Sequence, residues 1–279
     1  PPPSWPHAGA VEICDLVIRY GPRGPPAVAG VSLSIAGGEK VAVVGRTGAG
    51  KSSLLWSLLR MAPFAGGGVA IDGVDIASVP LWLLRRRLAT VPQEPVFFRG
   101  TVRENLDPAG DADDVALWAA LEACRIAAPL RAMTRAARCT AAAVAAAAAA
   151  KASILCHQST MTGVPPLWTY WWTAATGAQA AAATSKAIMT AAAVTFSLGQ
   201  RQLLCLARAL VRDASVVCVD EAAAGLDPGT VPVVAAALRR GFRRRTVVMV
   251  AHRLSTVVEL CGRVVVMADG RVVEDGVPR

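Results

Sequence analysis

The sequence predicts an α/β fold in which helices flank a mostly parallel sheet, and three observations carry that expectation. Val41–Val44, Val216–Val219 and Thr246–Val250 are short, almost wholly apolar runs. They are too short for helices and lack the polar alternation of a half-exposed sheet, which suits strands buried on both faces. Helical patterns separate these runs, as crossovers between parallel strands require. Glycine-rich or acidic segments follow the runs, at the strand ends where open sheets of this kind bind ligands.

Taken in order, VEICDLVIRY reads as a strand that ends at Tyr20. Val41–Val44 leads into Gly45-Arg46-Thr47-Gly48-Ala49-Gly50-Lys51-Ser52, and Ser53 to Leu59 reads as a helix. This is Gly, four residues, then Gly-Lys-Ser, between a strand and a helix, which is the context a phosphate loop needs. Backbone N–H groups from Gly48 to Ser52 are expected to cradle phosphates, with Lys51 at the β/γ oxygens and Ser52 on Mg²⁺. Asp72-Gly73 and Asp269-Gly270 mark hairpin turns. Ala89 to Val91 is strand-like and precedes Gln93 in Val-Pro-Gln-Glu-Pro.

The turn Ser197-Leu198-Gly199-Gln200 opens a helix with an apolar face of Leu203, Leu206, Ala207, Leu210 and Val211. Arg201, Arg208 and Arg212 are left for its wetter side. A helix start exposes N–H groups and a positive dipole end, so it attracts phosphate; Gly199 permits close approach and Ser197 adds a hydroxyl. Val216–Val219 ends in Asp220 and Glu221, which face opposite sides of a strand and so can do two jobs. Gly225-Leu226-Asp227 follows, and Asp227-Pro228 reads as an N-cap with proline at the first helical position. Thr246–Val250 precedes His252.

FSLGQRQLLCLARALVRDASVVCVDEAAAGLD, together with the phosphate loop, resembles the signature motif, Walker B strand and D-loop of ATP-binding cassette (ABC) proteins. GTVRENLDP and GQRQLLCLARAL make the chain most similar to the second nucleotide-binding domain of the multidrug-resistance-associated, or C-subfamily, transporters. The likeness covers roughly residues 1–133 and 195–279. It departs from most cassettes at Leu198, where glycine is usual, a departure common in that second domain.

The resemblance implies a RecA-like P-loop NTPase core with a small antiparallel β subdomain and a helical subdomain at about residues 81–212, all within one cassette over 1–279. Within it Glu221 is the general base, His252 contacts the γ-phosphate, and Gln93 touches Mg²⁺ and senses the membrane domain. Ser52, Gln93 and Asp220 are the implied Mg²⁺ set. Tyr20 stacks on adenine, with a cross-strand packing tyrosine as the alternative. Ser53 belongs to the phosphate site, while Ser197, Gly199, Gln200 and Asp227 serve nucleotide sandwiched with a second such domain. ATP and Mg²⁺ are the implied cofactors. Membrane-spanning domains are further partners, and the location is the cytosolic face of a membrane. A soluble cassette ATPase acting on nucleic acid or ribosomes is one alternative, and an inactive fragment is another.

Composition fits one large α/β domain. The 279 residues carry a net charge of +9 and 7 cysteines with no Cys-x-x-Cys pair. Cys14, Cys205 and Cys218 sit among apolar residues and read as buried thiols in a reducing compartment. The arginine clusters Arg85–Arg87 and Arg239–Arg245 lack interleaved aromatics and read as solvated helix ends, so no nucleic-acid partner is expected. No run of some twenty apolar residues reads as a membrane span, and the abrupt ends read as those of a fragment. Residues 134–193 hold an alanine run and a tryptophan cluster with no usable periodicity. They read as low-complexity or mis-spliced sequence, and no function is assigned to them.

Overall fold

The computed structural model of the protein describes residues 1–21, 23–132, 196–251 and 254–278. His252 and the segment 134–193 lie outside the described residues. The larger sheet joins β3 (Lys40–Gly45), β6 (Leu88–Val91), β7 (Val216–Asp220), β8 (Thr246–Val250), β9 (Arg263–Ala268) and β10 (Arg271–Gly276) in the order β10-β9-β3-β8-β7-β6. All neighbours pair in parallel except the β9–β10 hairpin at the edge. A second, antiparallel sheet of order β2-β1-β4-β5 is made by β1 (Val11–Ile18), β2 (Val28–Ile35), β4 (Phe64–Ile71) and β5 (Val74–Asp75).

Alternation along the parallel strands sorts their side chains into two cores. Val41, Val43, Val216, Cys218, Val248 and Val250 face one core, with the antiparallel sheet and with Leu54 and Leu55 of α1 (Lys51–Ser57). Ala42, Val217, Val219, Val247 and Met249 face the other, with α4 (Asp114–Ala123), α5 (Leu198–Val211) and α6 (Val231–Gly241). Strands buried on both faces therefore need apolar residues at every position, which is what the uniform runs report. Each buried Val or Leu contributes ~1.5–3 kcal/mol relative to exposure. α2 (Leu81–Arg87) runs directly into β6, so the range read as helical contains a strand of the parallel sheet as well as α3 (Val102–Leu106).

Several sequence expectations shift. α1 starts at Lys51 rather than Ser53. α6 opens at Val231, with Thr230 as its N-cap residue; Asp227 instead holds a turn, accepting from Thr230 N at 2.9 Å and Thr230 Oγ1 at 2.8 Å. Cys14 is exposed, because β1 carries a bulge between Ile13 and Leu16 with Asp15 at φ 44, which lets both flanking apolar residues face inward. Cys205 and Cys218 are buried, as their apolar neighbours imply, and burial pushes the Cys218 thiol up to about 12. Arg208 is only partly open to water: it is desolvated in part, with its guanidinium carbon 5.4 and 5.7 Å from the Phe97 and Phe98 rings. The arginine clusters act partly as internal ties. Arg85 donates to Leu59 O and Arg60 O, Arg87 to Pro3 O, and Arg245 to Ala209 O and Arg212 O.

Asp72 is a second fastener that its turn motif does not announce. It lies in the β4–β5 turn at φ 48, and its carboxylate accepts from the backbone N–H groups of His7, Ala8, Gly9 and Ala10 at 2.7 to 3.1 Å. Burial pulls its pKa up, but these N–H groups together outweigh it, and the carboxyl titrates below its ordinary value. A depressed folded pKa means the stabilisation is complete above the unfolded value of about 3.9 and is lost as pH falls through the folded value. Asp72→Asn is expected to cost about 1–3 kcal/mol at pH 7. Denaturant titrations of both proteins should show the gap closing as the pH is taken below that of the unfolded carboxyl. A gap that stays constant even below the folded value would refute the role.

Candidate active site

Because β3, β6, β7 and β8 run parallel, their carboxyl ends share one edge of the sheet. The phosphate loop leaves β3 there, Gln93 follows β6, and Asp220 and Glu221 close β7. β8 ends at Val250 on the same edge; His252, which follows it in sequence, lies outside the described residues.

Gly45 and Gly50 make the loop possible. Gly45 has φ 152, and a Cβ on it would collide with Met267 O; Gly50 has φ 95, and a Cβ would collide with Ala27 O. Both conformations favour glycine, and both positions abut backbone that cannot step aside. Arg46, Thr47, Gly48 and Ser52 are at least partly open to solvent, whereas Ala49 is buried beneath the loop. Lys51 is only 5% exposed, and its Nζ donates to Gly45 O at 2.9 Å and Arg46 O at 3.0 Å. The ammonium is thus drawn back under its own loop. Tyr20 is 63% exposed and donates from its hydroxyl to Ser53 Oγ at 3.2 Å. It therefore stands beside the phosphate loop and is not a cross-strand packing residue.

Gln93 is exposed, and its Nε2 donates to Glu221 Oε2 at 3.3 Å. Asp220 is 5% exposed, at the last position of β7. Glu221 has φ 44 and donates its N–H to Val250 O at 3.0 Å. A left-handed glutamate costs of order 1–3 kcal/mol, strain of a kind that clusters at functional positions. It turns the chain sharply after the strand, so Glu221 reaches the site while Asp220 stays in the sheet. Glu221 and Gln93 line an open pocket of about 620 Å³ with Thr47, Gly48, Lys51 and Ser52. Ala27 lines it too, a residue that no motif singles out.

The turn at the start of α5 does not line that pocket. Ser197 and Gln200 form a reciprocal capping box: Ser197 Oγ accepts from Gln200 N at 3.2 Å, and Gln200 Oε1 accepts from Ser197 N at 3.0 Å. Gly199 is buried, and a Cβ there would approach Thr230 Cγ2 to 2.9 Å. The close approach that demands glycine is thus to the chain's own α6 cap. Leu198 is 41% exposed, and its Cδ2 lies 3.5 Å from where a Cβ of Gly225 would be. Ser197, Gly199, Gln200 and Asp227 therefore belong to a second cluster, joined through Thr230.

The side chains at the pocket suit a small hard cation. Ser52 hydroxyl, Gln93 amide and Glu221 carboxylate line the pocket, and the Asp220 carboxylate stands buried at the strand end next to Glu221; all are oxygen donors, the set that Mg²⁺ prefers. No three His, Cys, Asp or Glu cluster as a metal cage among the described residues. Mg²⁺ sites commonly take one or two carboxylates and complete the shell with water and phosphate oxygens.

A phosphate loop beside two strand-end carboxylates on a parallel sheet defines a P-loop nucleotide-binding domain. A family model described as ABC transporter matches residues 28–224, more than half of the chain, and the chain belongs to that family. It is similar to the ABC-type transporter cicA of Emericella nidulans, at 35% identity over 277 residues, covering 99% of this chain and 17% of that protein. Against ATP-binding cassette sub-family C member 10 of Mus musculus the identity is 38% over 271 residues, covering 97% of this chain and 15% of that one. Against ATP-binding cassette sub-family C member 2 of Homo sapiens it is 34% over 278 residues, covering 100% and 15%. Among solved structures, a bacterial Atm1-family ABC exporter with ATP bound is similar at a TM-score of 0.69 and 25% identity, over 97% of this chain and 39% of that chain. The chain thus spans less than a fifth of the length of these curated relatives. The match shows the family, ABC transporter, and the similar exporter structure is one with ATP bound. No described helix is long and apolar enough to cross a membrane.

Proposed function

We propose that the chain is a single cassette, most like the second one of a C-subfamily exporter, that hydrolyses ATP at the pocket beside Lys51. The observation that carries the reading is the meeting of Lys51, Ser52, Gln93 and Glu221, from three separate strand ends, around one pocket. Backbone N–H groups of the loop and the Lys51 ammonium bind the β and γ phosphates, and Tyr20 stacks on the base. Ser52, Gln93 and Asp220 hold Mg²⁺, which when bound neutralises charge on the phosphate oxygens. Glu221 accepts a proton from the attacking water as the water oxygen bonds to the γ-phosphorus. The bond from phosphorus to the β–γ bridging oxygen breaks, and ADP and phosphate leave. His252 steadies the γ-phosphate.

Ser197, Gly199, Gln200 and Asp227 serve nucleotide held mainly by a second cassette, and the pair works on membrane domains from the cytosolic side. Leu198 keeps the turn from approaching that nucleotide closely, so the two composite sites differ. The isolated chain is expected to be a poor ATPase and to speed up when mixed with a matching first cassette. Phosphate release from the chain alone, from the mixture, and from both with Leu198→Gly tests this. Fast turnover by the chain alone, indifferent to Leu198→Gly, would contradict the asymmetry. Absence of ATP binding in every sample would contradict the site itself.

A further inference from the structure

We infer that Gln202, with Arg208 as a second anchor, is a positioning residue for Gln93, so that helix α5 sets how Gln93 meets the metal and Glu221. This rests on the reading of the pocket as a Mg-ATP site. Gln202 is 2% exposed, at the end of the polar triplet Gln200-Arg201-Gln202 of α5 and immediately before its apolar run Leu203–Ala207. A buried amide is costly unless bonded. Its Nε2 donates across the fold to Pro92 O at 3.1 Å, the carbonyl immediately before Gln93. Further along the same helix, Arg208 Nη1 donates to Val96 O at 3.1 Å. α5 therefore holds the segment Pro92-Gln93-Glu94-Pro95-Val96 at both ends. Pro92 and Pro95 have fixed φ and no N–H, which leaves the short span little freedom between its anchors.

The chain beyond this span is also tied to α5. Arg208 Nε donates to Asn105 O at 2.6 Å. Asn105, itself 2% exposed, accepts from Phe98 N at 2.8 Å and donates to Phe98 O and Thr101 O, both at 3.0 Å. Gln93 is the side chain of the held segment that reaches Glu221. The turn Ser197–Gly199 opens the very helix that grips the segment. A shift of that turn is thereby carried to Gln93 through two hydrogen bonds.

The test compares the parent chain with Gln93→Ala, Gln202→Met and the double variant. Methionine keeps the volume of Gln202 and removes its donor. ATP affinity is measured by calorimetry with Mg²⁺ and with a chelator in its place. Loss of a buried hydrogen bond predicts that the gain in affinity from Mg²⁺ falls about tenfold in either single variant. The double variant should be no worse than Gln93→Ala, and affinity without Mg²⁺ should be the same in all four. Arg208→Lys, which keeps the charge but cannot reach both carbonyls, should give the same pattern, and it stands in if Gln202→Met does not fold. A parental Mg²⁺ gain in Gln202→Met, additive losses in the double variant, or an equal loss with and without Mg²⁺ would each overturn the inference alone. A parent chain that binds no ATP would overturn the underlying site, and one that binds ATP without any Mg²⁺ gain would overturn the metal role of Gln93.

Discussion

Replacing Glu221 by glutamine is expected to lower the ATP turnover number by about 10²–10⁴, the range a positioned general base contributes. The amide keeps the shape of the side chain and can still accept the hydrogen bond from Gln93 Nε2. It cannot accept a proton from water at neutral pH. Binding of ATP should therefore remain close to that of the parent, while hydrolysis stops. With a partner cassette present, nucleotide should stay trapped in a closed pair. Phosphate release and light scattering on the same samples read both effects. Steady turnover by Glu221→Gln in a competent pair would remove Glu221 from the role of base.

Lys51→Ala should act at the earlier step. It removes the charge tucked under the phosphate loop, together with the donor that bridges Gly45 O and Arg46 O. Charge-assisted hydrogen bonds are worth ~1.5–3 kcal/mol each, so the Kd for ATP should rise about 10–100-fold. Calorimetry gives the number, and a thermal melt of the variant checks that the fold survives. An unchanged Kd would mean that the lysine does not reach the phosphates. The two variants divide the reaction between them, one losing binding and the other losing chemistry.

The site is legible in the sequence where a motif is local. Gly45 to Ser52 announce a loop, and the uniform apolar runs, one of them just before that loop, announce strands whose parallel ends must meet. Tyr20 is readable as an aromatic at a strand end, though its exposure and its hydrogen bond to Ser53, which separate it from a packing residue, are visible only in the structure. The sequence is silent where partners are far apart along the chain. Asp72 looks like one half of an Asp-Gly turn, and nothing local says that it collects four N–H groups from residues 7–10. Arg208 looks like the wet face of an amphipathic helix, because periodicity cannot show a loop folding over that face. Gln202 reads as the last of the polar residues Gln200-Arg201-Gln202, so nothing local marks it as the buried one that must find a partner. Gly199 is a place of close approach, as its position in the turn suggests, but the neighbour is Thr230.

The phosphate loop does not stand on the strand that precedes it alone. Gly270, in the turn between β9 and β10, donates its N–H to Ala49 O at 3.3 Å and accepts from Ala29 N at 2.8 Å, and Met267 O presses against Gly45. The backing of the loop thus comes from a hairpin marked in the sequence only by its Asp269-Gly270 turn, and it lies beyond residue 224, where the family match ends. A piece cut at residue 224 would keep the region that the family model matches and lose this backing.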